Sequence, residues 1–125
     1  MNKFYFCLAI CLIASSAIAH ELTPTYPELR PSYMDEVSVT TMKMWNRRND
    51  AQYYEIGVFD KEWNPVPFAS PFRLLQLDYL EHKSFEVYIR DKDATRVEYI
   101  CTTSKQLKSD VQSTGVKSKI CSRMK

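Results

Sequence analysis

Apolar and polar residues alternate with a period of two along most of this chain, which is the signature of half-buried β-strands. The cleanest run is Ser84 to Arg90, with Phe85, Val87 and Ile89 on one face and Glu86, Tyr88 and Arg90 on the other. Gln52 to Phe59 alternates in the same way, setting Tyr54, Ile56 and Val58 against Tyr53, Glu55, Gly57 and Phe59. Val37 to Asn46 is rich in β-branched and aromatic side chains, and so predicts a further strand. Shorter strands are predicted over Phe72 to Leu77, Arg96 to Thr103 (with Val97, Tyr99 and Cys101 on one face) and Val116 to Ser122. Asp91-Lys92-Asp93 reads as a turn, and residues 20–36, with Pro24, Pro27 and Pro31, as an extended entry able to run as an irregular edge strand. Seven short strands without a helical period predict an all-β sandwich.

The start of the chain breaks this pattern. Lys3 precedes an unbroken apolar run from Phe4 to Ala14, too short to span a bilayer, and Ala17-Ile18-Ala19 offers small side chains where a signal peptidase reads them. Residues 1–19 are therefore expected to be a cleavable signal peptide. Residues 20–125 are expected to form one exported domain, periplasmic or secreted, with no stable membrane anchor after cleavage.

Removing the leader also settles the cysteines. Cys7 and Cys11 leave with it, so Cys101 and Cys121 remain as a pair expected to be oxidised. That bridge would join the last two strands and enclose residues 104–115 as a long Lys- and Ser-rich loop. The mature chain would carry 16 basic and 15 acidic residues, which gives no electrostatic footprint for nucleic acid. The charge is uneven, however: Lys105, Lys108, Lys117, Lys119, Arg123 and Lys125 face a single acid, Asp110, over the last 21 residues. This stretch reads as a solvated end or as a surface that seeks carboxylates.

Catalytic patterns are not found. Two glycines exclude a Gly-rich phosphate loop, no Gly-x-Ser-x-Gly occurs, and no free mature cysteine is left as a nucleophile. A non-enzymatic protein without a cofactor is expected. One alternative is copper. Cleavage after Ala19 would free the α-amino group of His20 beside its imidazole, and His82 would be the second imidazole of a carrier site. The aromatic residues Trp45, Tyr53, Tyr54, Phe59, Trp63, Tyr79, Tyr88 and Tyr99 are read mainly as core, with Tyr53, Trp63 and Tyr88 left outside it.

The order of motifs from Val39 to Lys105 carries a resemblance. A strand ending in Asn (Lys43-Met44-Trp45-Asn46) leads to a Tyr-x-x-x-Val-x-Asp strand (Tyr54 to Asp60) and a Pro-x-Pro-Phe turn (Pro65 to Phe68). Phe72-Arg73-Leu74, the alternating strand Phe85 to Ile89 and an Asp/Arg turn (Asp93, Arg96) follow, ahead of Val97 to Thr103. The arrangement resembles the N-terminal immunoglobulin-like domain of periplasmic pilus-assembly chaperones. It covers about two-thirds of the mature chain. The resemblance implies a partner that is another protein, engaged as an extended strand or subunit at an exposed sheet edge or by the 104–115 loop. It implies that Arg30 and Lys105 form a carboxylate-anchoring pair, and that Val116 and Ile120 lie on the partner-binding last strand. A phage-encoded structural or virion-surface module is the other alternative.

Overall fold

The computed structural model describes residues 19–105 and 117–125. The expected leader up to Ile18, Val116 and most of the 104–115 loop therefore lie outside the described residues. Among the described residues, eight strands form two antiparallel sheets, with one short helical turn beside them. They are β1 (Glu21–Thr23), β2 (Arg30–Pro31), β3 (Val37–Trp45), β4 (Tyr53–Phe59), β5 (Leu74–Gln76), β6 (His82–Arg90), α1 (Asp91–Ala94), β7 (Tyr99–Lys105) and β8 (Lys119–Arg123).

In the first sheet β1 and β2 both pair with β3, and β6 pairs with the other side of β3. The entry segment is thus an edge strand in two pieces, with the cis Thr23–Pro24 bond between them. The second sheet has the order β5-β4-β7-β8. This is the sandwich the alternation predicts. The longest pairing joins β3 to β6 over their full lengths, from Val37 opposite Arg90 to Trp45 opposite His82. β6 starts at His82, two residues before its alternating run, because Trp45 carries the ladder that far.

The core lies between the sheets. Met42, Met44, Phe85, Val87 and Ile89 enter from the first sheet, and Tyr54, Ile56, Val58, Leu75 and Ile100 from the second. On β7 the core face is Ile100, Thr102 and Ser104, the alternate set to Tyr99 and Cys101. The polar Thr102 and Ser104 at core positions are the reason that face is hard to read from sequence. The aromatic expectation needs correcting. Of the eight rings, only Tyr54 is fully buried, while Trp63 and Tyr79 are exposed and the other five are partly so. The core is aliphatic and Met-rich, and the rings line the outer faces.

The outer face of the second sheet shows what some of those rings do. Trp63 stacks on Tyr99 with centroids 4.1 Å apart, and the Lys119 ammonium lies 4.6 Å from the Phe59 ring and 4.8 Å from Trp63. Phe59 can lie flat there because residue 57 is glycine. A Cβ at Gly57 would stand 2.7 Å from Phe59 Cε2.

Cys101 and Cys121 are bonded directly across β7 and β8, with Cα atoms 4.0 Å apart. They face outward from the core, since the neighbouring Ile100 and Thr102 face inward. The bridge spans a sequence separation of 20 residues, for which loop-closure entropy predicts about 3 kcal/mol of stabilisation. A Cys101→Ala/Cys121→Ala double variant is expected to lose about that much in urea unfolding. A midpoint unchanged by the substitutions contradicts this.

Candidate functional site

Two features at the same end of the sandwich, where β7 ends and β8 begins, stand out from the core and the loops. One is a buried polar cluster and the other is the free side of β8.

The cluster starts from Asn46, the residue that closes β3. Its amide is fully buried and donates to the carbonyls of Ala51 (2.8 Å) and Leu77 (3.0 Å), while its Oδ1 accepts from Tyr54 Oη (2.6 Å) and the Arg48 N–H (3.0 Å). One side chain therefore ties together the turn after β3, the start of β4 and the segment after β5. Arg48, itself buried, donates from Nε and Nη2 to both carboxylate oxygens of Asp50 at 2.8 and 2.7 Å. Its Nη1 reaches Ser118 Oγ at 3.1 Å, and Ser104 Oγ accepts the Ser118 N–H at 2.8 Å.

His20 completes the cluster. Its ring is buried, 4.6 Å from the Tyr54 ring. Nε2 lies 2.8 Å from Thr102 Oγ1 and 3.2 Å from the Thr102 carbonyl, and Nδ1 lies 3.1 Å from Ser118 Oγ. A carbonyl only accepts, so the proton belongs on Nε2, and Nδ1 accepts from the Ser118 hydroxyl. Burial, opposed by the Thr102 carbonyl and reinforced by the Arg48 charge, lowers the His20 pKa to about 4. Burial likewise raises the Tyr54 pKa to about 12. Both groups are neutral at neutral pH, and the cluster works as a lock between the chain entry and β7–β8.

These placements bear on the copper expectation. Both ring nitrogens of His20 are engaged by the protein, and His82 lies exposed on β6 with its ring stacked on Trp45 at 4.8 Å. Among the described residues no group of three or more His, Cys, Asp and Glu side chains is arranged to hold a metal.

The structure does not bring Arg30 and Lys105 together. Arg30, on β2, sits opposite Val39 and donates to Thr41 Oγ1 at 3.3 Å. Lys105, at the end of β7, pairs with Glu55 at 3.1 Å. Arg30 thus belongs to the first sheet and Lys105 to the second, each with its own partner. The arginine that reaches the end of β7 is Arg48, through Ser104 at 3.4 Å. Sequence offered one signal for it, the Asn46-Arg47-Arg48 step at the end of a strand, but not its burial.

On β8 the register is decisive. Ser104 N–H donates to Ser118 O, and Met124 N–H to Glu98 O, so the even-numbered residues of β8 exchange backbone bonds with β7. The odd-numbered residues turn their N–H and C=O groups the other way. There Arg123 and Lys125 donate to the carbonyls of Thr25 and Pro27. Among the described residues, Lys119 and Cys121 have no backbone partner on that side. The Ile120 side chain packs against the core, so what β8 offers at this edge is backbone.

The fold is similar to that of the E. coli chaperone DraB, with a TM-score of 0.63 and 16% sequence identity. The match covers 86% of this chain and 53% of that one, so this chain spans about half the length of DraB. No protein-family model and no curated protein matches the sequence. At this identity the likeness establishes the sandwich fold.

Two outcomes follow from the cluster. Asn46→Ala, which strands two carbonyls, an N–H and a phenol, is expected to lower stability by about 3 kcal/mol or more, against about 1 kcal/mol for Tyr54→Phe. Urea unfolding of the two variants checks this, and equal losses would refute the hub role of Asn46. The lowered His20 pKa makes a second prediction. Its stabilisation is fully present above about pH 6.5, the unfolded value, and is lost as pH falls toward 4, amounting to about 3 kcal/mol. The unfolding midpoint should fall over that window in the native protein, and the fall should be shallower in His20→Gln. Parallel profiles contradict the assignment.

Proposed function

We propose that this chain is an exported, non-enzymatic protein-binding domain of chaperone-like character that engages an extended strand of its partner along the open side of β8. The observation that carries this reading is the end of the second sheet. β8 has its register fixed on one side by β7 and the Cys101–Cys121 bridge, and its outward backbone groups at Lys119 and Cys121 have no partner among the described residues. Unpaired N–H and C=O groups in a row template an incoming strand.

Three further points support the reading. The sandwich is similar in fold to a chaperone, and the order of sequence motifs resembles that of periplasmic pilus-assembly chaperones. The disulfide fits an oxidising compartment, in agreement with the leader read in residues 1–19. Finally, the buried cluster holds the start of β8 through Ser118, so the edge is presented rigidly rather than as a fraying terminus.

Lys119→Pro tests the proposal. It removes one outward N–H and leaves the even-numbered ladder to β7 intact, a substitution that sheet edges accommodate. After expression in a bacterial periplasm and affinity capture, proteins recovered with the native domain should be lost with Lys119→Pro, provided thermal unfolding shows the variant folded. A partner list unchanged by this substitution contradicts edge pairing.

A further inference from the structure

The alternation that opens the edge of β8 also sorts its charges. Lys119, Cys121 and Arg123 are the odd-numbered residues of β8, whose side chains stand on the outer face of the second sheet, and Lys117 and Lys125 continue the same alternation just beyond the strand's two ends. Their surroundings differ along the strand. Arg123 is paired with Glu98 at 2.7 Å and Lys125 with Glu28 at 2.6 Å, at the end where the Thr25–Pro27 segment occupies the edge. Lys117 and Lys119 are exposed and have no acidic partner among the described residues. The two lysines without a carboxylate thus lie at the end of β8 where, among the described residues, the backbone of Lys119 and Cys121 also lacks a partner.

Lys119 is not loosely tethered. Its ammonium is poised over the Phe59 and Trp63 rings, which hold it on the face of the sheet. A cation over a ring still has its other donors free to meet a carboxylate.

We infer that β8 selects a partner strand with acidic side chains at alternate positions, those that fall on the outer face beside Lys117 and Lys119. This rests on the edge-pairing reading above and adds the chemistry of the strand. Side chains of neighbouring strands that share a face lie within reach of one another, and opposite charges there stabilise the pair. The same two lysines disfavour a strand with basic residues at those positions, which gives the edge a means of rejecting wrong partners. The unpaired backbone is what favours a peptide strand over a soluble polyanion, since a polyanion would use the lysines and ignore the N–H and C=O groups.

Synthetic peptides of about ten residues test this with the oxidised domain, residues 20–125. One alternates Glu with Val, a second replaces each Glu by Gln, and a third is the Glu peptide with its backbone N-methylated at alternate residues. Binding is read by fluorescence anisotropy at low salt. The Glu peptide is expected to bind about five- to tenfold tighter than the Gln peptide, from two exposed ion pairs. That ratio should fall to near one in a Lys117→Gln/Lys119→Gln variant, and the N-methylated peptide should not bind. If the Glu and Gln peptides bind equally and N-methylation abolishes both, edge pairing stands and the acidic preference is overturned. If N-methylation changes nothing, or heparin displaces every peptide equally, the lysines are a general anion surface and the edge reading falls with the inference. Absence of binding by all peptides to a folded domain overturns both.

Discussion

The register of β8 against β7 sets the direction of every side chain and backbone group along that strand. The Cys101–Cys121 bridge joins a directly opposed pair and so fixes that register, and alternation does the rest. Even-numbered residues bond to β7 through their backbones and turn side chains inward, where Ser118 enters the polar cluster, Ile120 meets the core and Ser122 is buried. Odd-numbered residues turn their backbones to the free side and their lysines and arginine to the outer face. A slip of one residue would bury the lysines, expose Ile120 and dismantle the hydrogen bonds of His20 and Arg48 at once.

The polar cluster is the second half of the same arrangement. A buried Arg and His would each be costly alone, and they are tolerated because every group in reach is matched: Asp50 takes both arms of the guanidinium, Ser118 serves Arg48 and His20 together, and Thr102 holds the other ring nitrogen. Asn46 extends the matching to the backbone of two connecting segments. The effect is mechanical. The chain entry at His20, the turn after β3 and the root of β8 are made one piece, and the edge strand is held where a partner would meet it.

Much of the fold was legible because it rests on alternation. Phe85, Val87 and Ile89, and Tyr54, Ile56 and Val58, point inward as their spacing predicts, and Cys101 and Cys121, the pair left once residues 1–19 are read as a leader, are bonded. What was not legible involves residues whose character and position disagree. Thr102 and Ser104 occupy core positions on β7, so its inward face does not look apolar. His20 looks like a solvated terminal residue, yet its ring is buried because Thr102 and Ser118 offer it partners from 82 and 98 residues further along the chain. Arg30 and Lys105 lie where the resemblance implies an anchoring pair, but pairing with Val39 and Tyr53 places them in different sheets. The aromatic rings lie outside because methionine and aliphatic residues already fill the space between the sheets.

An open edge on β8 has alternating backbone accessibility, which amide hydrogen exchange reads residue by residue. The oxidised domain should show slow exchange at Ile120 and Ser122, whose N–H groups face β7, and fast exchange at Lys119 and Cys121, whose N–H groups face outward. Equal protection at all four amides would mean that the edge is already covered, and would contradict the account.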